Sequence, residues 1–271
     1  MSQTAWGTHA VELTDDQVVK RFPEADGGGA EREWRALTLL HEHVPGLAPE
    51  PVKAQFGVNG STVVMSRLPG TPLRGLPLST GQTSALARAM RTIHTALPVD
   101  VLRQVPIRPG QQAGLLGHVR RWAAEKPADV GNPVARAMTA GLTWLEKSGL
   151  DANGTSGVPP VFGPGDGNLA NCLWDGSQVR IVDFEDAGRS DRAFELAEVT
   201  EHVGSWVEHP LDITTFLGHF ELTSDETVRL RDCRRLLALV WLFLLSFDVD
   251  HRRNPPGTVE RQAGRLMALL G

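Results

Sequence analysis

Three residues in the middle of the chain have the types and spacing of a reaction centre. Asp166 lies in the run Gly163-Pro164-Gly165-Asp166-Gly167, Asn171 follows five positions later, and Asp183 comes twelve after that. Two carboxylates and an amide carried on a loop and at a strand end can converge on one point. An amide and a carboxylate are hard oxygen donors suited to Mg²⁺, which keeps waters and shares ligands with phosphate. A second acid beside the metal can orient a hydroxyl and accept its proton. The same spacing in a glycine-rich loop also suits a plain turn, so the surrounding chain has to decide.

The elements that must position these residues fall into two groups. Ala10 to Leu13 and Gln17 to Phe22 are short β-rich runs with a turn at Thr14-Asp15-Asp16. After the break at Gly27-Gly28-Gly29, apolar Trp34, Leu37 and Leu40 recur at steps of three, predicting a helix from Ala30 to about His43. Two more strands are predicted at Val52 to Phe56 and Ser61 to Met65, followed by a linker over Leu68 to Pro72. Beyond it the pattern turns helical, at Gln82–Thr95, Val119–Ala124, Val134–Lys147, Arg192–Val203, Asp225–Phe247 and Thr258–Leu270. The exception is the stretch from Val161 to Glu185, which reads as a loop, a short strand, a turn at Asp175-Gly176 and a second strand ending on an acid. The expected fold class is α+β, with a small β-rich lobe, a larger helical lobe and a cleft between them.

In this setting Gly165-Asp166-x-x-x-x-Asn171-x-Leu173-Trp174, followed by Ile181-Val182-Asp183-Phe184-Glu185, resembles the catalytic and metal loops of aminoglycoside phosphotransferases and choline kinases. These are small-molecule relatives of the protein kinases. Gly188 to Leu196 is similar to that family's Gly-Asp-Pro-x-x-Asp-Leu-Ala segment, with Arg192 in place of Pro and Glu195 in place of Asp. Val18-Val19-Lys20 resembles the strand that carries the nucleotide lysine, and Arg32-Glu33 the helix whose glutamate pairs with it. Met65 to Gly70 is similar to the hinge, and the likeness runs in order from about residue 5 to residue 200.

The resemblance implies a protein-kinase-like architecture. Residues 1–70 would be the nucleotide-binding lobe with a hinge at 65–70, and residues 71–271 the helical lobe with catalytic loop, metal loop and acceptor site. Asp166 would accept or orient the acceptor hydroxyl, and Asn171 and Asp183 would hold Mg²⁺. Lys20, positioned by Glu33, would contact the phosphates of ATP or GTP. The backbone of Ser66, Arg67 and Leu68 would bond the base. The reaction would be γ-phosphoryl transfer to a small-molecule hydroxyl, with catalysis mainly by positioning and charge neutralisation.

Two departures mark this chain. The family's loop usually begins His-Gly-Asp, where this sequence has Pro164-Gly165-Asp166. Only about nineteen residues precede Lys20, so Trp6-Gly7-Thr8-His9 would have to serve as the phosphate-covering turn. A catalytically degenerate nucleotide-binding scaffold of the same fold is the competing reading.

The acceptor is read from charge. Glu185, Asp186, Asp191 and Glu195 are the candidate acceptor-binding acids, with Glu198, Glu201, Asp248 and Asp250 further along. An acidic cleft would draw in a cation such as an aminoglycoside. Single carboxylates of this kind are equally at home in salt bridges. With no tyrosine, a cage for choline would rest on Trp206, Trp241 or phenylalanines, which favours an aminoglycoside or another hydroxylated antibiotic or metabolite.

Composition sets outer limits. In 271 residues, 27 Lys+Arg against 32 Asp+Glu leave a net charge of −5, which argues against a nucleic-acid binder with a broad basic face. The longest apolar run, Leu236 to Leu245, is half the roughly 20 residues of a membrane span and predicts a buried helix. With Cys172 and Cys233 in no metal or disulfide pattern, a cytoplasmic protein without nucleic-acid or membrane partners is expected, as a monomer or weak homodimer.

Overall fold

The computed structural model describes residues 10–24, 26–125, 127, 130–150, 157–248 and 254–271. The first strands, β1 (Ala10–Leu13) and β2 (Gln17–Phe22), form an antiparallel hairpin closed by the Thr14 amide donating to the Gln17 carbonyl at 2.9 Å. With β3 (Pro51–Gln55) and β4 (Ser61–Ser66) they make a four-stranded antiparallel sheet in the order β1-β2-β4-β3. Pairing sets Val11 opposite Lys20, Leu13 opposite Val18, and Val63 and Met65 opposite Lys20 and Val18. Directly paired residues share a face, so these six line one side of the sheet. The helix α1 (Gly29–His43) buries Glu33, Leu37 and Leu40. Val11 and Leu13, at the sheet edge, stay exposed.

The rest of the chain is mainly helical: α2 (Thr80–His94), α3 (Val99–Gln104), α4 (Gln112–Glu125), α5 (Asn132–Ser148), α6 (Arg192–Glu201), α7 (Ile213–Leu217), α8 (Ser224–Phe247) and α9 (Thr258–Leu270). The long α8 is the axis of this lobe. A capping box between Thr223 and Glu226 starts it, and its apolar middle packs against α4, α5, α6 and α9. Leu236, Leu239 and Leu242 are fully enclosed, as the apolar run predicts. Both cysteines are free and buried. Among the described residues no helix is long and apolar enough to cross a membrane.

Small strands join the helices at the cleft. The stretch expected as a linker contains β5 (Thr71–Pro72), which pairs with β7 (Cys172–Trp174); β7 pairs in turn with β8 (Val179–Ile181). A further pair, β6 (Pro160–Gly163) with β9 (Gly188–Asp191), brackets the central loops. Neither was anticipated, because four-residue strands rich in glycine, proline and charge carry no alternating pattern. The architecture is the two-lobed α+β, protein-kinase-like arrangement expected.

Candidate active site

Asp166 sits in the loop between β6 and a short 3₁₀ turn at Leu169–Asn171. Its Oδ1 accepts the Asn168 amide at 2.9 Å and its Oδ2 accepts the Asn171 side-chain amide at 2.9 Å, so both oxygens are oriented. The side chain is about one-third exposed, at 34%, and open to a ligand. Burial of the carboxyl and the nearby charge of Asp183 push its pKa up to about 7, against the stabilising Asn168 N–H.

The ladder between β7 and β8 continues one step, through the Val182 amide to the Asn171 carbonyl at 2.9 Å. That step sets Asn171 opposite Val182, so Asn171 and Asp183 stand at adjoining ends of the two strands. Asp183 then turns the chain with φ 70°, the left-handed region that aspartate tolerates better than most residues. The turn is anchored by Phe184, fully buried, whose amide donates to Glu33 at 3.1 Å.

Lys20 reaches this turn from the sheet. Its ammonium lies 2.9 Å from Glu33 Oε2 and 2.7 Å from Glu185 Oε2, and bonds Asp183 Oδ1 directly. Burial works against the charge on Lys20, but the three carboxylates, Glu33 foremost, outweigh it and hold the amine protonated beyond its ordinary range. Burial likewise pushes Glu33 upward, and Lys20 draws it back. Glu31, the other glutamate at this end of the helix, is exposed.

The donor set suits a hard dication. Glu33, Asp183 and Glu185 offer oxygens within 4.8 Å of one another. One ammonium against three carboxylates leaves two negative charges. With its Nδ2 committed to Asp166, Asn171 has its Oδ1 left as a ligand atom, and Glu33 Oε1 is buried with no hydrogen-bond partner among the described residues. Asn171 and Asp183 therefore fit Mg²⁺.

Two of the three hinge amides are already used. Ser66 N–H donates to the Glu50 carbonyl at 2.9 Å and Arg67 N–H to the Asp16 carbonyl at 2.8 Å. Leu68 N–H makes no hydrogen bond among the described residues, so of the three amides it is the one left as a donor. The Trp6 to His9 segment lies outside the described residues.

The acidic acceptor cleft does not form as expected. Glu185 pairs with Lys20. Asp191 is buried, capping α6 through the Phe194 amide at 2.9 Å and pairing with Arg229 at 3.0 Å. Glu195 is buried against Arg108 at 2.9 Å. Glu198 meets Arg108 at 3.2 Å, and Glu201 pairs with Arg234 and Arg265. Of the four candidate acids Asp186 is the most open, 48% exposed and 3.9 Å from Arg32; Asp250 lies outside the described residues. Basic partners arriving from distant segments account for the difference, and no local spacing reports them.

Beside Asp166 stand residues that the sequence reading missed. His202 directs Nε2 to Asp166 Oδ1 at 3.6 Å, while its Nδ1 accepts the Gly204 amide at 3.0 Å, which places the proton on Nε2. Burial, aided by Arg74, lowers its pKa to about 3. Trp241 packs edge-on against His202, whereas Trp206 is buried under Arg261 and Arg265. Arg32, next to Glu33, donates to the Glu185 carbonyl at 2.6 Å, so two successive residues of α1 hold the Asp183 turn.

A family model described as a phosphotransferase enzyme family matches residues 5–232. No curated protein matches the chain. Solved structures do. A choline kinase, LicA, from Streptococcus pneumoniae superposes with a TM-score of 0.64 at 14% identity, covering 99% of this chain and 91% of that one. An aminoglycoside phosphotransferase in complex with GDP and kanamycin gives 0.67 at 17% identity, over 99% and 92%. Another from Streptomyces rimosus, with ADP and streptomycin, gives 0.60 at 16% identity, over 87% and 92%.

Proposed function

The chain belongs to the phosphotransferase enzyme family and is a small-molecule kinase, and on that premise we propose that Asp166 receives the acceptor hydroxyl. The observation that carries this reading is one connected set of contacts: Asp166 to Asn171, the Asn171 carbonyl to the amide of Val182 next to Asp183, Asp183 to Lys20, and Lys20 to Glu33. The set spans both lobes and joins a proton acceptor, a dication site and a phosphate-seeking cation.

In this reading the donor is ATP or GTP. Val11, Leu13 and Val18, on the Lys20 face of the sheet, offer an apolar surface to the base, and Leu68 N–H a donor to its edge. Asn171 Oδ1 and Asp183 would hold Mg²⁺, which would neutralise charge developing on the phosphates. Lys20, released from Asp183 and Glu185, shifts to the phosphates while Glu33 keeps it charged and aimed. Asp166, its two oxygens fixed by Asn168 and Asn171, aligns the hydroxyl and takes its proton as the new P–O bond forms and the bond from the γ-phosphorus to the departing ADP or GDP oxygen breaks. A loose phosphoryl-transfer transition state asks for little more than this positioning. The acceptor is a hydroxylated small molecule, and aminoglycosides are the first to test, because relatives are crystallised with kanamycin and streptomycin. Support from an acidic cleft is reduced to Asp186.

The test is release of ADP or GDP with Mg²⁺ and kanamycin, streptomycin or choline, with Asp166→Asn beside the wild type. Acceptor-dependent release that the variant loses supports the reading. Equal release from both removes Asp166 from the chemistry.

A further inference from the structure

The stretch that leads into Asp166, residues 163–165, has no polar side chain of its own to fix its shape. Gly163 and Gly165 flank Pro164, which supplies neither an N–H nor a polar side chain. Gly165 is left-handed, at φ 92°, and a Cβ there would fall on the Asp186 backbone. A Cβ at Gly163 would fall on the Glu195 carboxylate. This stretch is therefore seated by what reaches it from outside.

One side chain does so from far away in sequence. Arg108 leaves the connection between α3 and α4, where its amide donates to the Arg189 carbonyl at 3.2 Å beside β9. Its guanidinium is enclosed, with 3% of the side chain exposed, 5.3 Å from the Phe194 ring centre. Nη2 donates to the carbonyl of Gly165, the residue before Asp166, and to Glu198 at 3.2 Å. Nη1 donates to Glu195 Oε1 at 2.9 Å, and Glu195 Oε2 in turn accepts the Gly165 amide at 3.4 Å. Both polar backbone groups of Gly165 are thus bound by the Arg108–Glu195 pair. A planar fork can serve a carbonyl and two carboxylates at once; an ammonium on a flexible stem cannot reproduce that geometry.

We propose that Arg108 is the positioning residue of the Asp166 loop, fixing the carboxylate against the reacting hydroxyl through Gly165 and Glu195. This rests on the assignment of Asp166 above. Arg108 touches neither nucleotide nor acceptor in this arrangement, so its loss lowers kcat and leaves nucleotide affinity alone.

The test uses the full chain with Arg108→Lys, which keeps a buried cation, and Arg108→Ala, which leaves a hole. Expected for folded Arg108→Lys is a kcat about a hundredfold down, the cost of a misplacement near 1 Å, with unchanged Mg-ADP affinity. In Arg108→Ala, guanidinium ion restores part of kcat and ammonium does not. Amide exchange at Gly165 to Asn171 speeds up by about tenfold or more in Arg108→Lys, while exchange in β2 and β4 stays as in the wild type. Wild-type kcat in folded Arg108→Lys, or kcat and Mg-ADP affinity falling together, overturns the proposal. Should the wild type transfer phosphate to none of kanamycin, streptomycin or choline, the acceptor reading fails separately. Amide exchange then decides: faster exchange confined to the loop supports Arg108, and unchanged exchange overturns it.

Discussion

At the residue scale, what matters is which carboxylates are free. Asp166 has both oxygens oriented by donors and still faces the cleft, so Asp166→Asn should lower kcat by about 10²–10⁴-fold, the usual worth of a positioned general base. Mg-ADP binding, measured by calorimetry, should persist in that variant. Glu185 sits with Lys20, so Glu185→Gln should change nucleotide KM and leave acceptor KM where it was. A shift in acceptor KM alone would return Glu185 to the acceptor side. The convergence of Asp166, Asn171, Asp183, Lys20 and Glu33 was legible because their types and order resemble one family's. The fate of Asp191, Glu195 and Glu201 was not, because Arg229, Arg108, Arg234 and Arg265 come to them across long stretches of chain.

At the scale of elements, helical periodicity located the larger helices, and β-rich runs located all four strands of the main sheet. The short pieces were hidden: α3 is six residues and β6 four, too brief for a period to show. Among the elements, α6 depends most visibly on one residue. Asp191 caps its first turn and neutralises Arg229 in a buried setting. Removing one member of such a pair costs about 3–5 kcal/mol. Asp191→Ala should therefore lower stability to denaturant by about that amount, whereas Asp191→Asn, which keeps the cap acceptor, should lose less. Neither change should alter acceptor KM in the protein that remains folded, and a rise in acceptor KM without a loss of stability would contradict the buried assignment.

For the whole molecule, acid is the condition to watch. Burial lowers both His94 and His202 to about 3, with Arg192 and Arg74 adding to the respective shifts. A histidine whose folded pKa lies below its unfolded value near 6.5 binds more protons when unfolded. Stability is then full above about pH 6.5 and falls as pH drops toward 3. The slope is at most about 1.4 kcal/mol per pH unit for each histidine. Asp166 and Glu198, whose buried carboxyls are pushed up to about 7, contribute in the opposite sense over the same interval, so the histidine share is read by comparison. Chemical denaturation of the wild type and His94→Gln at pH 7.5 and 5.5 should show the wild type losing more, or gaining less, on acidification. The same pH dependence in both would mean that the His94 ring is charged or solvated.

The lobes meet along a charged seam, where Lys20 spans to Asp183 and Glu185 while Arg32 and Glu33 grip the same turn. In that seam Asp183 and Glu185 present oxygens to Lys20 much as a ligand's phosphates would. With Lys20 in its proposed role, the resting enzyme carries an intramolecular competitor for the donor's phosphates. A nucleotide would have to displace a tethered rival whose effective concentration never falls, so that its affinity would be the difference between two similar embraces.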